Sequence, residues 1–324
     1  MVKHGDTQQR GISFFFPQAL LVALFFFLPL SLPPLLAFAW TIGLLAVPIF
    51  FVFQFVVDER KATRQVRNGL LLTVAGALLL NQLSFFVFSL TMLPLGYSLY
   101  RSALRQKTPA EVGAEGSLVL GGSWLVFWAV YGVIAGVNPY TSLLAMLDSS
   151  LDQITLIYHT SSDLPADVLY NLEQIIAEMR EFLPKVLPGL LAGTVILTVW
   201  LNMIISGNLL RRLAPNKTCW PQYSCWRLPD KLVWLFIIAV VLSLSGLFGL
   251  SEAGYCLVIV SVLLYFFQGA AVFVHILNRW NIPKFFRIII YIILALQSYG
   301  ILMLAVAGIA DIWADFRKLG QEEQ

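Results

Sequence analysis

The feature that most limits what this chain can become is a succession of apolar runs, at 12–32, 35–57, 69–100, 117–136, 185–208, 232–250, 255–277 and 286–310. About 20 apolar residues in a helix cross the ~30 Å hydrocarbon layer of a bilayer. In lipid the backbone has no water to bond to, so such runs are expected to be α-helices. Composition closes off the soluble alternative. Hydrophobic residues make up 59% of the 324 residues and charged ones 12%, with a mean hydropathy of +0.80, whereas a soluble domain carries about 25% charge. A large core still needs a polar skin, and there is too little charge here to make one. The expected fold class is all-α, a single polytopic transmembrane bundle of about 8–9 membrane segments.

Lys3 and Arg10 precede the first run and Ala37-Phe38-Ala39 looks like a cleavage site. The run 12–32 is longer than a signal-peptide core, so it is read as a retained helix that Pro33 and Pro34 end. Loop charge then orients the chain, because basic residues collect on the cytoplasmic side. The basic loops are 58–67, 101–107, 209–231 and 278–287, while 140–183 holds seven acidic residues against Arg180 alone. Every basic loop falls inside only if 69–100 is a hairpin of two short helices turning near Asn81-Gln82. That gives about nine segments, with the N-terminus cytoplasmic and the C-terminus outside, in a bacterial cytoplasmic (inner) membrane. Residues 12–136 form the N-terminal helices, 137–184 an acidic extracytoplasmic insert and 185–317 the C-terminal helices. In the insert, Leu169, Leu172, Ile175, Ile176, Met179 and Phe182 recur at helical spacing. Asp163 is placed to cap this amphipathic helix and Pro165 to open it. It is expected to lie on the membrane surface, to lid the bundle, or to pack on its transmembrane neighbours.

Polar side chains inside a bilayer are costly, so each is a candidate for function. Gln268, Ala271, His275 and Asn278 share one face of the 255–277 helix and its exit. This stripe is the candidate ligand-binding site, with Ala271 leaving room; the alternative is that Gln268 and His275 hydrogen-bond to a neighbouring helix. Ala19 and Ala23 form a small-xxx-small pair, the candidate contact for a partner helix. Asp311 and Asp315, one turn apart with Arg317 behind, read as a paired acidic site or a helix-end salt bridge. Cys219, Cys225 and Cys256 make no disulfide framework, and zinc ligation would need further Cys or His nearby. Trp220 and Trp226 are expected at the headgroup level. No nucleotide, zinc-protease or nucleophile-elbow motif is present. No metal, cofactor or enzymatic activity is therefore expected, and a net charge of +3 spread over short loops does not suggest nucleic acid. The expected partner is the lipid bilayer.

Trp226-Arg227-Leu228-Pro229, Tyr265-Phe266-Phe267-Gln268-Gly269-Ala270-Ala271, Ile282-Pro283 with Arg287, and the closing stretch Gly308 to Arg317 resemble the YybS-like family of multi-pass bacterial membrane proteins. Leu183-Pro184, Asn202 and Arg211-Arg212 fit the same pattern, which covers 180–317. That family is more remotely similar to the S components of energy-coupling-factor transporters, six-helix proteins with a cytoplasmic N-terminus and often an Ala-xxx-Ala pair in the first helix. The resemblance implies a small-molecule uptake or binding subunit without its own ATPase, whose Ala19 and Ala23 face a membrane coupling protein with ATPase subunits. The extra helices and the acidic insert depart from it. The alternative is a non-transporting scaffold or assembly factor that binds a partner through its extracytoplasmic helices.

Overall fold

A computed structural model describes residues 47–52, 54–55, 59–79, 87–88, 90–160, 165–215, 220–247, 249–297 and 299–317. All regular structure among them is helical. After a helical stretch at 47–52 come α1 (Glu59–Leu79), α2 (Leu93–Leu104), α3 (Pro109–Ala135), α4 (Pro139–Thr160) and α5 (Ala166–Leu213). A single 3-10 turn at Tyr223–Cys225 precedes α6 (Leu232–Ser243), α7 (Leu250–Arg279), α8 (Lys284–Leu296) and α9 (Gly300–Ala314). By length and composition α3, α5 and α7 can each cross a membrane. The predicted turn at Asn81-Gln82 and the pair Ala19 and Ala23 lie outside the described residues.

Local chemistry sets the ends of α3. Thr108 accepts from the backbone N–H of Glu111, and the Glu111 carboxylate accepts from the Thr108 N–H in return. Pro109 follows at the position where a missing N–H costs nothing. At the far end Gly136 turns left-handed (φ 65°), a conformation cheap only for glycine.

Register follows from paired contacts. On α3 and α5 the pairs Gly113 with Met203, Gly116 with Val199 and Gly121 with Val195 make the two antiparallel. Gly189 against Cys256, Gly193 against Leu263 and Trp200 stacked on Phe267 make α5 and α7 parallel. The main core sits where α2, α3 and α5 meet residues 47–52, around Phe51, Leu95, Leu99, Leu120, Val199 and Met203. Helices α7 and α9 touch backbone to backbone. A Cβ on Gly269 would lie 1.7 Å from the Leu304 carbonyl oxygen, and one on Gly308 2.1 Å from that of Tyr265.

Four sequence expectations change. The stretch 58–67, expected as a loop, is helical from Glu59 onward. The amphipathic helix of the insert and the span at 185–208 are one helix of 48 residues, with Pro184 and Pro188 inside it, about 70 Å long. Pro188 has no N–H to give to the carbonyl of Pro184, and the Tyr140 hydroxyl reaches that oxygen instead, at 3.5 Å. Helix α4 runs antiparallel to the first half of α5, tied by Arg180 to Asp148 and Asp152 and by His159 to Glu173. The insert is thus a helical hairpin in line with α3 and α5. The run at 232–250 yields only the 12 residues of α6, because Gly246 and Gly249 take positive φ. The run at 286–310 is two helices, α8 ending at Leu296 and α9 starting at Gly300, whose N–H turns back to the Gln297 carbonyl.

Candidate functional site

Residues 220–231 do not simply join α5 to α6. The loop doubles back against α5, so that a Cβ on Gly207 would lie 2.7 Å from Trp220 Nε1. Tyr223 comes to the level of Trp200 (ring centroids 5.6 Å) and donates from its hydroxyl to the Phe267 carbonyl at 2.6 Å. Measured along α5, that is about 20 Å back from the helix end. Burial pushes the Tyr223 phenol well above its ordinary range, which keeps it a donor. Trp220, expected at the headgroup level, is 5% exposed and packs on Phe51. The expectation failed because the loop folds inward, carrying the indole into the core.

Irregular backbone away from water needs partners for its polar groups, and side chains supply them. Arg211 donates to the carbonyls of Trp220 (2.9 Å) and Pro221 (2.8 Å). Arg317 Nη1 donates to those of Ser224 (3.0 Å) and Trp226 (2.7 Å). The Leu228 N–H is accepted by Gln268 Oε1 at 3.3 Å. Gln268 Nε2 donates to Asp311 Oδ2 at 3.2 Å, and Arg317 Nη2 donates to the same oxygen at 2.7 Å. Asp315, left-handed at φ 38°, reverses the chain so that Arg317 meets Asp311; Asp tolerates that region better than most residues.

Between this loop, α3, α5 and α7 lies a cavity of about 650 Å³. Its walls include Trp200 and Met203 of α5, Phe267 of α7, and Tyr223 and Trp226 of the loop. Polar groups sit at its rim: Thr108 and Glu111 from the first turn of α3, and Arg227 and Lys231 before α6. Gln268 both lines the cavity and joins the Asp311–Arg317 network.

The four stripe residues meet different surroundings. Gln268 is buried at the cavity; Ala271 is fully buried within the helix packing; His275 is half-buried. Asn278 is exposed and accepts from Arg287, which also donates to the carbonyls of Leu277 and Ile282 at the end of α7. Of the four, only Gln268 lines the cavity. Sequence reasoning did not mark Trp200, Tyr223, Phe267, Glu111 or Lys231 as site residues. The cluster of Trp, Tyr and Pro in 220–229 was a usable signal, since so many rigid rings suit an ordered loop. Among the described residues no group of three His, Cys, Asp or Glu could hold a metal.

Long apolar helices, a buried ion pair and an inward-folded loop whose carbonyls at Trp220, Pro221, Ser224 and Trp226 are capped by arginines define a multi-pass helical membrane protein. The chain belongs to the family described as "Predicted membrane protein (DUF2232)", which matches residues 19–312. No curated protein and no solved structure matches it.

Proposed function

We propose that the chain is a membrane-embedded subunit that binds a small molecule for uptake and has no ATPase of its own. The cavity carries this reading. At about 650 Å³ it falls within the size of ordinary ligand sites, roughly 300–1,000 Å³, and it combines apolar walls with a few polar groups at one end. Helix α6 starts at the cavity with only 12 residues; short helices that begin at a binding site are a feature of membrane transporters. In this reading the protein sits in a bacterial inner membrane with about nine segments and a cytoplasmic N-terminus, as loop charge implies. The likeness to YybS-like proteins and to energy-coupling-factor S components adds a coupling protein with ATPase subunits, met through Ala19 and Ala23. Gln268 is the ligand contact among the stripe residues, while Ala271, His275 and Asn278 support the helix that presents it.

The test is purification from native membranes with mass spectrometry of retained small molecules, for the wild type and for Gly113→Phe. A Cβ on Gly113 meets only Met203 Sδ at 3.8 Å, so the ring can enter the cavity without straining the helix. A molecule held by the wild type and missing from the folded variant is the expected result. Equal retention, or none in either, would sink the reading.

The α4–α5 hairpin favours a second reading, a scaffold. It leaves Met146, Ile157, Tyr170, Ile175 and Phe182 exposed, as an assembly surface would. Replacing the hairpin by a short Gly-Ser loop should then abolish function, whereas a binding subunit should still hold its ligand.

A further inference from the structure

We infer that the ligand is a small, water-borne amphipathic anion, with a flat apolar body lying against the aromatic wall and one acidic group at the Lys231 end. This rests on the binding reading above and adds its chemistry. The walls come first. Trp200 lies flat on Phe267 (centroids 4.2 Å, interplanar angle 8°), while Tyr223 meets both Trp200 and Trp226 edge-on. Such rings offer a broad, rigid apolar surface with few rotamers to freeze, which suits a planar guest.

The rim decides the sign of charge. Glu111 keeps its negative charge, but it accepts from the Thr108 N–H and hydroxyl and sits at the first turn of its own helix, whose positive end offsets it. Arg227 pairs with Asp230 at 3.2 Å. Lys231 is exposed, and its ammonium has no hydrogen-bond or ion-pair partner among the described residues. The charge left without a partner at the α6 end of the rim is therefore positive. It stands immediately before Leu232, where α6 begins, and the first turn of a helix adds further positive potential. An anion is stabilised there by both; a cation meets both unfavourably.

The polar end of the cavity also indicates the source. Pro229, Asp230 and Lys231 are all exposed, and they belong to a basic loop rather than to an apolar helix face. An acid in the water on the cytoplasmic side, where loop charge puts this loop, reaches Lys231 directly, as in the inward-facing state of an uptake subunit.

Three probes of one shape test this on the full chain in phosphatidylcholine nanodiscs: 2-naphthoate, its methyl ester, and 2-naphthylmethylammonium. Binding is measured by calorimetry against empty nanodiscs. The naphthoate should bind about tenfold tighter than the ester, the worth of a hydrogen bond to a charged group, and the ammonium should bind weakest. Lys231→Gln should erase the preference for the acid and leave the ester unchanged. Gly113→Phe should abolish binding of both. Equal affinity for acid and ester, or a preference that survives Lys231→Gln, overturns the inference; loss of ester binding in Gly113→Phe would still uphold the cavity reading. No binding by any probe overturns the inference, and the native retention experiment separately decides the reading beneath it. If adding phosphatidylglycerol to the nanodiscs suppresses naphthoate binding, the site holds a lipid headgroup and the water-borne source is wrong.

Discussion

Asp311 and Arg317 are 2% and 5% exposed, so water screens neither charge. Removing one partner strands the other. Arg317→Gln should cost about 3–5 kcal/mol, the usual result of breaking a buried pair, and it also uncaps the carbonyls of Ser224 and Trp226. The expected observation is a large fall in melting temperature in detergent, with Asp311→Asn in the same chain recovering part of it. Arg180 offers the contrast. It touches two carboxylates, Asp148 at 2.9 Å and Asp152 at 2.6 Å, yet its side chain is 44% exposed. Arg180→Ala should therefore lower stability by under about 1 kcal/mol, which the same melting experiment reads. Ion pairs of similar length thus differ in worth because of their surroundings.

At the scale of elements, the α7–α9 contact depends on two residues having no side chain. Gly269→Ala or Gly308→Ala must force the helices apart, since each new methyl would overlap a carbonyl oxygen. Gly122→Ala, which meets nothing within 4 Å, should be neutral or slightly stabilising. Folded yield and melting temperature should fall for the first two and hold for the third. Some of this architecture was legible beforehand. The spans that became α3 and α7 stood out because hydropathy persists for the whole helix, and Gln268 stood out as a polar group within one. The continuity of α5 was hidden by Pro184 and Pro188, which read as a break although the helix runs through both. The shortness of α6 was hidden because 244–250 stays mostly apolar after the helix has stopped. Most of the cavity was hidden for a related reason. Trp200, Met203 and Phe267 are ordinary core residues by type, and only the returning loop makes them walls. Arg317 was legible as a partner for Asp311 but not as the cap of a loop so distant in sequence.

For the whole molecule, loop charge predicts sidedness. With Cys219 and Cys256 changed to serine, the exposed Cys225 should resist an impermeant thiol reagent until the membrane is opened, whereas Ser150→Cys on the hairpin should react at once. Reaction of both from outside would refute the orientation. The reach of Arg317 has a consequence in time as well as in space. It caps the Ser224 carbonyl from 93 residues further along the chain. At about 5–20 residues per second of synthesis, the Ser224 carbonyl waits roughly 5–20 s for its cap, an interval in which α6 to α9, and with them the Phe267 side of the cavity, are themselves being made. A nascent chain stalled within that interval has α1 to α5 and the loop but not the arginine that fastens it, so the loop can be locked against the bundle only once Arg317 has been made.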